Sequence, residues 1–311
     1  MKKIIKSIFI IIAILVVIDF VFGKYFDNMD TIPARFEIGL TDYTMKSVSD
    51  DILIFGSSRG RHHYVPSMLE DSLKMSTYNV GRDGYFLSYQ CCAIDAVMKR
   101  YTPKLIIWEM NTNGLLKEQS DPITALHPYY YQYDMMRETI LKKEGEITKY
   151  KMHSNIYRYN NVAFIMFIRH ILSNEPVKDD MKGYTPLHIT IKGNDTIIQK
   201  EKLIVDTLDA FKVEIFKKTL EKIKQKNINV LIVDSPIYTI ENPERNKLSE
   251  QLVKSLCQEN DIPYLDYRYM EFFQQSPQLF KDILHLNHDG AIIYTDTIIK
   301  KIREYFPNLG N

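Results

Sequence analysis

The 311-residue sequence predicts an α/β protein, a three-layer sandwich with a parallel central sheet, preceded by one N-terminal transmembrane helix. Short continuous apolar runs, each closed by Gly, Ser or Asn, alternate with stretches of helical spacing. This alternation is typical of a buried parallel sheet that is covered by helices. The first run is 52–55, which leads directly into Gly56 and two serines. A separate apolar run near the amino terminus predicts the transmembrane helix.

Residues 1–26 have the composition of a membrane anchor. Three lysines stand among the first six residues, and between Ile8 and Phe22 the only charged residue is Asp19. The apolar stretch is about as long as a bilayer crossing requires, roughly 20 residues. No small-x-small cleavage site or lipobox cysteine follows it, which favours an uncleaved anchor over a signal peptide. The lysines favour a cytoplasmic amino terminus, so we expect the rest of the chain on the extracytoplasmic side.

A connector is predicted over 27–50 and one globular domain over 51–311. In the domain, Val65-Pro66 marks the start of the first helix, because proline is favoured in the first turn. Asn287 is the expected cap of the last helix. The predicted strands begin at 52, 76, 104, 229 and 262, and the predicted helices cover 65–73, 85–101, 208–226, 245–258 and 288–306.

Residues 115–200 interrupt this alternation. Several prolines and a run of three tyrosines allow helices only in parts of the region, and 161–172 is the best candidate for an apolar helix. We interpret the region as an insertion that forms a cap or a substrate-side surface.

The composition excludes several classes of function. A net charge of +1 argues against a nucleic-acid partner, because such proteins usually carry a clear basic excess. Three cysteines are too few for a disulfide framework, and no Cys-x-x-Cys or His/Cys cluster indicates a zinc site. No Gly-x-Gly-x-x-Gly or Walker loop follows a strand, which argues against a nucleotide-binding domain.

A candidate catalytic site lies where the first strand ends. Ser57 and Ser58 follow Gly56 at the carboxyl edge of the sheet, where the chemistry of open α/β sheets collects. Near the other end of the chain, Asp282 and His285 are three residues apart, so one loop can present the carboxylate to one imidazole nitrogen and leave the other for a serine. Each feature also has a plain structural interpretation: the serines form only a turn, and the acid–histidine pair lies on the surface.

Four blocks of the sequence, taken together, resemble those of the SGNH (GDSL-type) hydrolases. They are Gly-Ser-Ser at 56–58, Asn-Val-Gly-Arg-Asp-Gly at 79–84, the apolar strand and Asn-Thr-Asn-Gly at 103–114, and the Asp-x-x-His block at 282–290. The resemblance covers about 50–115 and 205–305 and leaves the insertion unmatched. Two departures stand out: Ser57 occupies a position where Asp is usual, and Asn-Thr-Asn-Gly replaces Gly-x-Asn-Asp.

The resemblance implies roles for individual residues. Ser58 would be the nucleophile, with Ser57 as the alternative, His285 the general base and Asp282 the residue that orients it.

The same resemblance implies an oxyanion hole. It would consist of the Ser58 N–H, the Gly84 N–H and the Asn113 side chain. Gly81 competes with Gly84 for the second position, and Asn111 competes with Asn113 for the third.

The resemblance further implies a membrane-anchored, extracytoplasmic serine esterase or O-acyltransferase. Its substrate would be an ester-linked acyl group, acetyl above all, on a cell-envelope glycan, with no metal or organic cofactor and with a membrane acyltransferase as a further partner. The alternative is an envelope protein that keeps the fold but not the turnover, and that binds a glycan or a membrane acyltransferase.

Basic residues follow the candidate nucleophile. Arg59, Arg61, His62 and His63 could bind an anionic or sugar substrate, but exposure tendencies favour a solvated helix start. His288 could replace His285, although its position at the start of the last helix indicates a surface role.

Overall fold

The computed structural model describes residues 1–27, 37–160, 181–191, 207–238 and 247–309. The chain divides into two compact units. The first unit contains the predicted anchor and the second contains the sheet. The first unit comprises Met1–Gly39 and Ile123–Lys178. The second unit comprises Leu40–Pro122 and Asp179–Asn311.

The sheet has five parallel strands in the order β2-β1-β3-β4-β5. This is the flavodoxin-like order of a doubly wound sheet, in which ligands bind at the carboxyl ends of the strands. The predicted fold class is therefore confirmed, and so are all five predicted strands. The strands are β1 (Ile52–Phe55), β2 (Thr77–Asn79), β3 (Leu105–Glu109), β4 (Asn229–Asp234) and β5 (Tyr264–Asp266).

Twelve α-helices lie in the described part of the chain, and the five predicted domain helices are within two residues of their expected bounds. The 3₁₀ turns that the structure describes are Thr112–Leu115, Thr124–Tyr129 and Pro277–Leu279. The helices are α1 (Lys2–Asp27), α2 (Glu37–Lys46), α3 (Ser58–His63), α4 (Pro66–Leu73), α5 (Leu87–Arg100), α6 (Asp134–Glu144), α7 (Thr148–Lys151), α8 (Asn155–Tyr159), α9 (Ala210–Gln225), α10 (Lys247–Glu259), α11 (Glu271–Gln274) and α12 (His288–Tyr305).

Successive residues of β3 face two different helical layers, because side chains alternate across a strand. Ile107 belongs to a buried cluster with Tyr294 of α12. The next residue, Trp108, contacts the ring of Phe216 of α9 at 5.4 Å and donates a hydrogen bond to Gln90 of α5. The sheet is thus covered on both faces, which completes the three layers.

Polar caps fix where two of these helices begin. The Asp209 carboxylate accepts the N–H groups of Phe211 and Lys212, which opens α9. The Asn287 side chain accepts the Gly290 N–H at 3.0 Å, as the sequence predicted for α12.

Two of the helices that were not foreseen lie next to the first strand along the chain. The predicted connector contains α2, whose Leu40 and Met45 are buried. The chain also turns into α3 immediately after the first strand, before the helix that begins at Pro66. The predicted apolar helix at 161–172 lies outside the described residues.

The first unit contains one helix, α1, that is long and apolar enough to cross a membrane. Its side chains from Ile8 to Ile18 are mostly exposed, whereas Gly23 and Phe26 are buried. Phe26 stacks on Tyr159 of α8, so the carboxyl-terminal end of α1 packs within its own unit.

Gly183 is predicted to tolerate no side chain. Its φ is +80°, and an added Cβ would lie 1.9 Å from the Asn79 carbonyl oxygen, next to the bond that the Asn79 N–H donates to the Lys182 carbonyl. Gly84 also has a positive φ, +72°, but open space around it. We expect Gly84→Ala to lower the free energy of unfolding by about 1–2 kcal/mol from backbone strain alone. Gly183→Ala should lower it by a further ~1–3 kcal/mol from overpacking.

Thermal unfolding of the full chain in detergent, followed by near-ultraviolet circular dichroism, measures the difference between the two glycine variants. Equal destabilisation would show that the close approach of the 181–184 turn to β2 does not constrain the fold.

Candidate active site

A sharp turn between β1 and α3 presents Ser58. Gly56 lies in this turn, and a Cβ there would come within 2.8 Å of both the Glu109 Cβ and the Gly60 Cα. Only glycine therefore lets the turn pack this closely against the end of β3. Ser58 is the first residue of α3, and its Oγ lies 2.7 Å from the Nε2 atom of His285.

The Asp282 carboxylate holds the other imidazole nitrogen. His285 Nδ1 lies 2.8 Å from Asp282 Oδ1 and 3.0 Å from Oδ2. The N–H groups of Leu284 and His285 also donate to Oδ1, and Lys281 Nζ donates to Oδ2. Burial tends to raise the pKa of Asp282, but the hydrogen bonds from His285 and Lys281 outweigh it and hold that pKa well below its ordinary value. The carboxylate is therefore ionised and accepts the Nδ1–H, which leaves Nε2 as the acceptor that faces Ser58.

The structure thus brings Ser58, His285 and Asp282 into one hydrogen-bonded chain, the arrangement of a Ser-His-Asp triad. The alternatives lie elsewhere. Ser57 is the N-cap residue of α3 and is buried. His288 contacts the Tyr184 hydroxyl through Nδ1 at 2.9 Å.

The three candidate oxyanion donors follow three neighbouring strands. Gly84 lies in the loop after β2, Ser58 follows β1, and Asn113 lies in the 3₁₀ turn after β3. Because β2, β1 and β3 are adjacent and parallel, these positions share the carboxyl edge of the sheet, with Ser58 in the middle.

Gly81 and Gly84 differ in their surroundings. The Gly81 N–H donates to the Asn79 side chain at 3.0 Å, and a Cβ on Gly81 would lie 2.6 Å from the Arg61 nitrogen. Gly81 is therefore a packed glycine whose N–H is already engaged. Gly84 has open space and a positive φ, so its backbone remains accessible.

Asn111 and Asn113 also differ. The Asn111 side-chain oxygen accepts the Asn113 N–H at 3.0 Å and caps the 3₁₀ turn. The Asn113 side-chain oxygen is buried and has no hydrogen-bond partner among the described residues. An unpaired buried oxygen requires a donor and so does not itself bind an oxyanion. What separates the two residues is that the Asn111 side chain is committed to the turn, which leaves the Asn113 amide as the candidate donor.

The basic residues of α3 are buried, so the predicted solvated helix start is wrong. Arg59, Arg61 and His62 are each 7% exposed and His63 is 0% exposed. The physical reason is that α3 packs between the sheet edge and α12, where carboxylates at strand ends compensate its charges. Arg59 Nε lies 3.3 Å from Glu109 Oε1 at the end of β3.

A buried polar chain connects α3 to the loop of the candidate general base. His63 Nδ1–H donates to Ser235 Oγ at 2.7 Å, and the Ser235 hydroxyl donates to Glu109 Oε1 at 2.8 Å. The Leu286 N–H donates to His63 Nε2 at 3.0 Å, which fixes the backbone immediately after His285. Burial lowers the pKa of His63 well below its ordinary value and raises the pKa of Glu109 to about 7.

A second contact of α3 holds the loop that carries Gly84. His62 Nδ1–H donates to the Thr185 carbonyl at 2.6 Å, and its Nε2 lies 3.3 Å from Asp83 Oδ2. The His62 ring is also 6.0 Å from the His285 ring, edge to face. Burial favours a higher pKa of Asp83, but the hydrogen bond and the charge of His62 outweigh it and lower that pKa.

The sequence analysis placed Asp234 and Ser235 near the active edge, with a possible role in lining the cleft, but it missed Glu109 as a member of the site. A signal was present, because a carboxylate that closes a wholly apolar strand is buried and needs a cationic partner. Among the residues that the structure describes, no group of three His, Cys, Asp or Glu side chains could hold a metal ion.

Among known proteins, the chain is similar to several solved structures. The chain is similar to an acetyl xylan esterase, AlAXEase, with 12% identity over 81% of this chain and 99% of that one, at a TM-score of 0.40. It is similar to LAE5, an α/β hydrolase from the metagenome of Lake Arreo, Spain, with 10% identity over 83% and 96% of the two chains, at 0.40.

A catalytic mutant of Axe2, an acetylxylan esterase from Geobacillus stearothermophilus, is 11% identical over 83% of this chain and 94% of that one, with a TM-score of 0.41. No family model matches the chain, and a search of curated proteins finds no relative. At these identities and scores the similarity carries no conclusion about substrate or mechanism.

His63 is predicted to make the protein less stable in acid. Below pH 6.5, the ordinary imidazole value, the unfolded chain takes up a proton that buried His63 resists. The free energy of unfolding therefore falls as the pH falls below that value, since the unfolded state binds more protons. His63→Gln should flatten this part of the stability–pH curve. The variant also loses packing, so its free energy of unfolding is lower than that of wild type at pH 8.

Denaturant unfolding between pH 4 and pH 8, of wild type and variant in the same detergent, provides the two curves. His153→Gln, which removes an exposed imidazole, is the matched control. A His63→Gln curve parallel to that of wild type would contradict a neutral buried imidazole.

Proposed function

We propose that this protein is a serine esterase or O-acyltransferase that is anchored in the cytoplasmic membrane and works on its extracytoplasmic side. The observation that carries the proposal is the hydrogen-bonded chain from Ser58 through His285 to Asp282. In the proposal, residues after the three adjacent strands β2, β1 and β3 also provide backbone and amide donors for the oxyanion, which is the second requirement of acyl transfer.

In the first half of the proposed reaction, the Ser58 hydroxyl gives its proton to His285 Nε2 while Oγ attacks the carbonyl carbon of an ester. The oxyanion accepts hydrogen bonds from the Ser58 and Gly84 N–H groups and from the Asn113 amide. The ionised Asp282 stabilises the imidazolium. When the intermediate collapses, the C–O bond of the ester breaks, and the departing alcohol takes the proton from His285.

The second half repeats these steps with a new acceptor. His285 removes a proton from the acceptor hydroxyl, which attacks the acyl-enzyme, and Ser58 leaves with that proton. Water as the acceptor gives an esterase, and a sugar hydroxyl gives an O-acyltransferase.

The proposed location rests on α1 and on the three lysines among its first residues. The helix is long and apolar enough to cross a bilayer, and basic residues are retained on the cytoplasmic side. The resemblance to membrane-tethered SGNH-like proteins extends the proposal to the substrate, an acetyl ester on a cell-envelope glycan. A membrane acyltransferase would be the donor or partner in the transfer reaction.

Ser58 is expected to react with a fluorophosphonate probe in the full-length protein. Ser58→Ala should abolish the labelling and lower ester hydrolysis by about 10⁴-fold or more, since the residual rate without a triad residue is small. Ser57→Ala is the matched control, because it removes a neighbouring hydroxyl and leaves the bond to His285. In-gel fluorescence and hydrolysis of 4-nitrophenyl acetate measure the two effects.

Labelling that persists in Ser58→Ala but disappears in Ser57→Ala would show that Ser57, and not Ser58, is the nucleophile. No labelling of folded wild-type protein would favour the binding protein without turnover.

Asn113 is expected to contribute to the rate of the chemical step. Asn113→Ala should lower kcat by about 10²–10³-fold with little change in KM, the usual effect of removing one oxyanion donor. Asn111→Ala removes the cap of the same 3₁₀ turn, so it should cost about 0.5–2 kcal/mol of stability but far less activity. Steady-state kinetics and thermal unfolding of both variants test this division; the opposite pattern would make Asn111 the donor.

A further inference from the structure

The first unit holds a carboxylate within the apolar helix. Asp19 Oδ1 accepts hydrogen bonds from Ser154 Oγ at 2.7 Å and from the Ile156 N–H at 2.9 Å. Its Oδ2 accepts the Asn155 N–H at 2.9 Å and the Asn155 side-chain amide at 3.1 Å. Four donors from one short segment thus bind a charge that would otherwise be costly in a membrane.

These bonds place the start of α8 at the depth of Asp19. A bilayer crossing takes about 20 residues, and counted from either Ile4 or Ser7 such a span includes Asp19. Such a span ends at 23 or 26, so the residues that bind Asp19 lie about 6–10 Å inside the carboxyl-terminal end of the span when α1 is inserted. The packing of Phe26 on Tyr159 holds α8 along the same helix beyond that point.

Apolar side chains are exposed next to this contact. Ile156, in the first turn of α8, is 41% exposed, and Ile147 and Tyr150, at α7, are 62% and 63% exposed. Tyr150 is four residues before Ser154, so its Cα lies within about 14 Å of the Ser154 Cα even if the chain is fully extended. An aqueous surface does not favour three large exposed apolar groups in so short a segment.

The charged residues between 142 and 160 also suit a position at the membrane interface. Between 142 and 160 there are five Lys and Arg residues and two Glu. Lys149 and Lys151 flank Tyr150 and are exposed. Tyrosine at the headgroup level, with lysines beside it, is the combination found at membrane interfaces and attracted by anionic lipids.

We propose that Ile147, Tyr150 and Ile156 form an interfacial platform that inserts into the lipid headgroup region beside α1. This proposal extends the proposed membrane anchoring by α1 and depends on it. The occupant is the bilayer surface, because the platform is continuous with the exposed apolar face of α1 through the bonds of Asp19. Its effect is to hold the first unit against the membrane at one height, where a helix alone would allow the segment to rotate and tilt.

The test is a measurement of depth on the full chain in nanodiscs of phosphatidylethanolamine and phosphatidylglycerol. Single nitroxide labels are attached through Leu15→Cys, Tyr150→Cys, Ile156→Cys and, as an aqueous reference on α12, Lys300→Cys. The native Cys91, Cys92 and Cys257 are buried, so labelling is selective for the introduced positions. Each label reports the ratio of its collisions with lipid-soluble oxygen to those with a water-soluble nickel chelate.

We expect the ratio at Tyr150 and Ile156 to exceed the ratio at Lys300 several-fold, and the ratio at Leu15 to be at least as high as theirs. If Leu15 is in lipid while the labels at 150 and 156 match Lys300, the platform is overturned and the anchor stands; the exposed groups would then serve a protein partner. If Leu15 also matches Lys300, the anchor itself is wrong and the platform with it.

Discussion

The ion pairs of Arg59 are the constraint on which the edge of the sheet depends. Its guanidinium lies 3.3 Å from Glu109 Oε1 and 2.7 Å from Asp234 Oδ1, so one buried cation joins the ends of β3 and β4 to the helix that begins with Ser58. Such pairs add little net stability, but separating them leaves buried charge uncompensated at a cost of about 3–5 kcal/mol. The helix α3 therefore cannot leave the sheet edge, and Ser58 is held in place.

The same short helix also contacts the other segments of the site. His63 accepts the Leu286 N–H beside His285, and His62 contacts Asp83 beside Gly84. Each contact is made by a side chain that is at most 7% exposed, where a lost hydrogen bond is expensive because water cannot replace it. Segments more than 200 residues apart along the chain are thereby held against six residues of helix.

The two compact units carry different parts of the proposed function. The sheet-containing unit carries the complete hydrogen-bonded chain of Ser58, His285 and Asp282. The other unit carries α1 and the segment that binds Asp19. A carboxylate in an otherwise apolar helix is costly in a membrane, so in the proposed anchor Asp19 would couple insertion of the helix to the folding of the segment that binds it.

The sequence by itself determined the strands, the order of strands and helices, the cap at Asn287 and the close spacing of Asp282 and His285, because each depends on local periodicity or on neighbours in the chain. It could not determine the burial of Arg59 or His63, nor that the Gly81 N–H and the Asn111 side chain are already engaged in hydrogen bonds. Those properties depend on which N–H groups and charges meet across strands, and only the tertiary structure decides them. Exposure tendencies failed at α3 because carboxylates from β3 and β4, distant in sequence, compensate its charges in the interior.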